Sequence, residues 1–145
     1  MVDKEAIKKV AAKDMGEPKL KIIAMPSNTN PAGNVFGGWI MSQMDLAGGI
    51  AARELATEGV VTVAMDKVVF KEPVFVGDVL CCYAKIIEVG NSSVVVQVEV
   101  VVNRMSKDGS TQHILASSAI LTFVSVSKEG RKKPIENELK KLHGF

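Results

Sequence analysis

Two spacings of apolar residues divide the chain. Over residues 30–55 the sequence reads NPAGNVFGGWIMSQMDLAGGIAAREL. Its core is a run of apolar or tiny side chains: Trp39, Ile40, Met41, Met44, Leu46, Ala47, Ile50, Ala51 and Ala52. The spacing predicts one helix, starting near Gly37 and Gly38 and ending near Thr57. A helix that is apolar on all sides is expected to be buried on all sides. It is too short, and too often interrupted by glycine, to be read as a membrane span. From residue 60 onward the period changes to two, the signature of strands. In residues 92–105, Val94, Val96, Val98, Val100 and Val102 fall on one face, with Gln97, Glu99 and Asn103 on the other. Only Val95 and Val101 blur that alternation.

The remaining elements follow from punctuation. Residues 3–15 predict a short helix capped by Asp3, with Ile7, Val10 and Ala11 on one face. Residues 18–25 predict a first strand, followed by a polar loop rich in turn residues. Strands are expected at 60–71, 78–89, 92–105 and 111–126. Gly90 with Asn91, and the run Lys107, Asp108, Gly109, mark tight turns between them. Pro134 precedes a C-terminal helix that reaches about Leu142. Short turns demand antiparallel neighbours. The order therefore predicts an α+β fold, a long central helix wrapped by a five-stranded antiparallel sheet. Long valine-rich strands leave sheet edges that need covering, and pairing across a two-fold axis would cover them. The expected divisions are an N-terminal arm at 1–17, one domain at 18–134, and a C-terminal helix and tail at 135–145.

Composition narrows the function classes. The chain has 145 residues, enough for one domain with one substantial core. It is 47% hydrophobic but only 5% aromatic, with mean hydropathy +0.19, an apolar balance that predicts burial between subunits. Net charge is +2, so no global field marks a nucleic-acid binder. The N-terminus lacks a long apolar core or cleavage signature, which predicts a cytoplasmic protein. The two cysteines, Cys81 and Cys82, are adjacent and point to opposite faces of a strand. With only His113 and His143 beside them, neither a disulfide nor a metal site is expected. His113 is read as structural and His143 as part of a solvated tail.

One charge interrupts the apolar helix. Asp45 is expected to be costly there unless it is paired or hydrogen-bonded. Gly48 and Gly49 follow within a turn, and on a helical wheel Met41, Asp45, Gly48, Gly49 and Ala52 share one side. A carboxylate beside bare backbone predicts close approach by a ligand or another chain. Asp45 is the leading candidate for the chemistry; its bland alternative is a structural carboxylate bonded to a buried donor.

The stretch N-P-A-G-N-V-F-G-G-W-I-M-S-Q-M-D at 30–45 resembles the signature of YciA-like acyl-CoA thioesterases. V-G-D at 76–78, V-G-N-S-S at 89–93 and G-R-K at 130–132 are similar to the family at matching positions. The resemblance runs from about residue 20 to 135. It departs at Glu72, which precedes Pro73 where family members tend to carry lysine.

The resemblance implies the hotdog fold, a dimer assembled into a trimer of dimers, and hydrolysis of acyl-CoA. It implies no resident cofactor, with coenzyme A present only as part of substrate or product. Asp45 would act as general base or nucleophile. Asn30 would orient water or the carbonyl, although alone it reads as a turn residue. The free amides at Gly37 and Gly38 would face the developing oxyanion. Gly90, Asn91, Ser92 and Ser93 would meet pantetheine or pyrophosphate, and Arg131, Lys132 and Lys133 the 3′-phosphate. Arg104 is a weaker candidate. Against this stand a hotdog dehydratase or isomerase, which needs a histidine near the helix, a non-catalytic acyl-CoA binding domain, and a purely structural oligomer.

Overall fold

The computed structural model describes residues 11–145. Most of the expected N-terminal helix lies outside them. Within them, Ala12–Asp14 is a single 3-10 turn. The strands are β1 (Leu20–Ile23), β2 (Val60–Phe70), β3 (Val79–Val89), β4 (Ser93–Met105) and β5 (Thr111–Ser125). The helices are α1 (Gly37–Ala52) and α2 (Asn137–Leu142). Each strand begins and ends within two residues of its expected limits. All neighbours are antiparallel, in the order β1-β3-β4-β5-β2.

The alternation in β4 locates the core. Val94, Val96, Val98, Val100 and Val102 are fully buried, and with Leu80, Leu121 and Phe123 they pack against Met44 and Ala47 of α1. Burying one such valine or leucine side chain contributes about 1.5–3 kcal/mol, so this seam holds the helix on the sheet. The opposite face of β4 is also buried. Gln97 and Glu99 are hydrogen-bonded to each other at 2.9 Å and share a small outer pocket with Lys67 and Ser118. Lys67 has φ +53° at the irregularity where β2 shifts register on β5.

The helix ends earlier than its sequence predicts. After Ala52 the bonds tighten: Glu54 N–H donates to the Ala51 carbonyl, and Leu55 N–H to the Ala52 carbonyl. That tightening swings Leu55 and Ala56 into the core, which an extra α-turn would not do. Nor is α1 buried on all sides. Leu46 and Ile50 are exposed, as are Val61, Val63 and Val69 on edge strand β2. The contact between Asp45 and Thr62 ties the helix to that edge strand.

Candidate active site

Asp45 sits midway along α1, half-buried. Its Oδ1 accepts a 2.6 Å hydrogen bond from the Thr62 hydroxyl on β2. That bond fixes one carboxylate oxygen and leaves the other lone pairs for a proton. Sequence reading missed Thr62. In VVTVAM it looks like any β-branched strand residue, and nothing linear ties it to Asp45.

The glycines after Asp45 do something other than expected. A Cβ on Gly48 would stand 3.0 Å from the Phe123 ring, so the bare backbone there is filled by the molecule's own sheet. Gly49 is looser, with the same ring 3.8 Å from its Cβ position. The close approach predicted at Gly48 is thus intramolecular.

At the start of α1 the backbone supplies donors. Phe36, Trp39 and Ile40 N–H groups are bonded to the Asn28 and Phe36 carbonyls. Among the described residues, the Gly37 and Gly38 N–H groups have no partner. They lie at the positive end of the helix dipole, suited to a developing anion. Gly38 is exposed, with nothing within 4 Å of its Cβ position. Asn30 folds the preceding loop: its Oδ1 accepts from the Ala32 and Asn34 N–H groups at 3.0 and 3.1 Å. The turn role is therefore real, and among the described residues the Asn30 amide nitrogen has no hydrogen-bond partner.

The opposite end of the sheet gathers the residues proposed for the nucleotide. Gly90 N–H bonds the Ser93 carbonyl at 2.8 Å, closing a hairpin around Asn91 and Ser92. The Ser93 hydroxyl occupies the place a Gly90 Cβ would take. The Asn91 carbonyl accepts from Ile135 N–H and the Ser92 carbonyl from Ser125 N–H, which brings the basic run beside the turn. Arg131 and Lys132 are exposed there, while Lys133 pairs with Glu58 at 3.1 Å.

Arg104 is not among them. It stands at the other end of β4, where it forks onto Asp78 at 2.8 and 3.0 Å and donates to the Pro73 carbonyl at 3.1 Å. Asp78 is only 3% exposed, so this is a structural ion pair. The hydrogen bond to Asp78 raises the Arg104 pKa above its ordinary value.

The other chemistry-bearing groups lie elsewhere. His113 is exposed and bonded to Asn103 at 2.7 Å, and His143 is 3.9 Å from Glu54. Both cysteines are free and buried, and burial, with Cys81 beside it, pushes the Cys82 thiol up to about 12. Among the described residues no cluster of three metal-ligating side chains occurs, and no helix is long and apolar enough to cross a membrane.

The pattern of the thioesterase superfamily matches residues 32–106. The chain is 42% identical over 123 residues to the acyl-CoA thioester hydrolase YciA of Escherichia coli, covering 85% of this chain and 93% of that protein. It is similar to a hexameric hotdog-fold thioesterase of Campylobacter jejuni, with 64% identity, a TM-score of 0.89, and coverage of 91% of this chain and 99% of the other. An acyl-CoA hydrolase of Staphylococcus aureus is 28% identical, with a TM-score of 0.71 and coverage of 86% and 78%. It has been solved as an aspartate-to-alanine and as a threonine-to-alanine variant. The two altered positions are 17 residues apart, the interval that separates Asp45 from Thr62.

Proposed function

The chain belongs to the thioesterase superfamily, among the YciA-like acyl-CoA thioester hydrolases, and on that premise we propose how its residues divide the reaction. The enzyme hydrolyses acyl-CoA to coenzyme A and a carboxylic acid. The observation that carries the assignment of chemistry is the Asp45 carboxylate, held by Thr62 at 2.6 Å in an otherwise apolar helix.

Asp45 takes the proton of the attacking water through its free oxygen. Water oxygen bonds to the carbonyl carbon, and the carbonyl electrons move to oxygen. The Gly37 and Gly38 amides of a second subunit receive that oxyanion, donors of this kind working at about 2.7–3.1 Å. Collapse restores the carbonyl and breaks the carbon–sulphur bond, and the leaving coenzyme A thiolate takes the proton that Asp45 holds. The Asn30 amide orients the carbonyl. The Gly90, Asn91, Ser92 and Ser93 turn, with Arg131, Lys132 and Lys133, receives pantetheine and phosphates. Lys133 joins only by leaving Glu58. Arg104 is dropped from this set, because Asp78 and Pro73 hold it.

The functional assembly is a homodimer, three of which make a hexamer. Support comes from the exposed apolar residues of α1 and of edge strand β2, and from the hexameric relative of Campylobacter jejuni. Residues 18–134 form the catalytic domain, and the compartment is the cytoplasm, where acyl-CoA is met. A proton-shuttling dehydratase is disfavoured because His113 is bonded to Asn103 and His143 faces Glu54, neither of them paired with Asp45.

The test is Asp45→Asn, assayed by release of coenzyme A thiol. Turnover is expected to fall at least about a hundredfold while the variant keeps its fold, in line with the worth of a positioned base. Near-wild-type turnover by folded protein overturns the assignment.

A further inference from the structure

The unpaired glycine amides are not equally open. A Cβ at Gly37 would stand 3.2 Å from Cζ of Phe70, and 3.5 and 3.6 Å from its two Cε atoms. The edge of that ring therefore closes one side of the donor pair. At Gly38 nothing lies within 4 Å, so the other side is open. Phe70 is 49% exposed, and the rest of its ring is free to be touched. Its backbone is fixed at the end of β2 by pairing with Ser117, and Lys71 N–H bonds the Ala116 carbonyl at 2.8 Å. The ring is thus a wall on a rigid support.

We propose that Phe70 sets how much branching the enzyme accepts at the first carbons of the acyl group. The inference rests on the reading that the Gly37 and Gly38 amides receive the thioester oxygen. Two substituents leave the carbonyl carbon. The sulphur arm leads to a polar, triply phosphorylated carrier, which suits the hairpin turn with Arg131 and Lys132. The acyl arm is apolar, and next to the donors the wall on offer is a phenyl ring. A ring packed within van der Waals reach of Gly37 can meet only atoms one or two bonds from the carbonyl. It therefore senses branching near the carbonyl rather than chain length. A methyl added against a packed wall costs a substrate about tenfold or more in kcat/KM.

The experiment compares butyryl-CoA with isobutyryl-CoA, which have the same atoms and differ only in branching. Thiol release is measured for wild type, Phe70→Ala, Phe70→Leu and Phe70→Trp, with light scattering to record assembly and Asp45→Asn as the control for the site. Wild type is expected to prefer butyryl-CoA. Phe70→Ala should raise the isobutyryl-to-butyryl ratio of kcat/KM about tenfold, Phe70→Leu by less, and Phe70→Trp should lower it. An unchanged ratio in assembled Phe70→Leu and Phe70→Trp proteins overturns the proposal. So does an equal loss on both substrates accompanied by dissociation, since Phe70 would then be a subunit contact only. Full activity of Asp45→Asn would instead overturn the reading of the site, a separate result.

Discussion

Thr62 holds one oxygen of Asp45, and a single hydroxyl so placed acts through the residue it orients. Thr62→Ala leaves the carboxylate present but free to rotate. The expected result is a drop in kcat of about ten- to a hundredfold with KM little changed, because orientation matters most in the transition state. A loss confined to KM contradicts it. The two kinds of glycine separate just as sharply. Gly38→Ala places a methyl in open space at a helix start, so the melting temperature should hold or rise slightly. On the proposed mechanism that same methyl stands where the thioester approaches, and activity should fall at least about tenfold. Gly48→Ala pushes on the Phe123 ring from 3.0 Å, and overpacking of this kind costs about 1–3 kcal/mol. Its activity per folded molecule should stay near wild type. Calorimetry paired with thiol release distinguishes the cases. Asp45 was legible in the sequence because a charge in an apolar run is conspicuous. Thr62 and Phe123 were not, because their roles exist only once β2 and β5 are laid beside α1.

At the scale of elements, periodicity carried most of the fold. The β4 valines, the hairpin at Gly90 and the length of β5 follow from local rules, so their limits were nearly right. The C-terminal limit of α1 was not, since what ends it is burial of Leu55 and Ala56 rather than a stop residue. The ion pair of Arg104 was hidden for a similar reason. A basic residue near a strand end reads as a ligand for phosphate until its partner, 26 residues away, is known to be the buried Asp78. Arg104→Ala is therefore expected to destabilise the fold by about 3–5 kcal/mol, the cost of stranding a buried charge, and to leave KM for acyl-CoA unchanged in the folded fraction. Replacing Arg131 and Lys132 by Ala should do the reverse. It should raise KM for acyl-CoA several-fold, spare a truncated thioester that lacks the nucleotide, and leave melting unchanged. Denaturation and kinetics on the two variants side by side test both statements.

Across the whole molecule the proposed chemistry lies in three places. The free amides and Asn30 lie at one end of α1, the hairpin and basic run at the other end of the sheet, and Asp45 lies between. Asp45 is eight residues into the helix, about 12 Å from its start, too far for both to act on one carbonyl within one chain. Leu46 and Ile50 are exposed on α1, and β2 is an edge strand, which offers a way to bring a second copy's helix start to this Asp45. The excess of apolar residues in the sequence already pointed to such an interface, but its position was not legible before the sheet order made β2 an edge. The central claim is therefore that each active site is built from two subunits. The direct measurement is complementation between Asn30→Ala and Asp45→Asn proteins, each nearly inactive alone, after verified subunit exchange in equal amounts. Sharing predicts recovery of about a quarter of wild-type thiol release, since half the dimers are mixed and half of their sites carry no lesion. Exchange with no recovery above the parents would mean that every site keeps one lesion, and would contradict the claim.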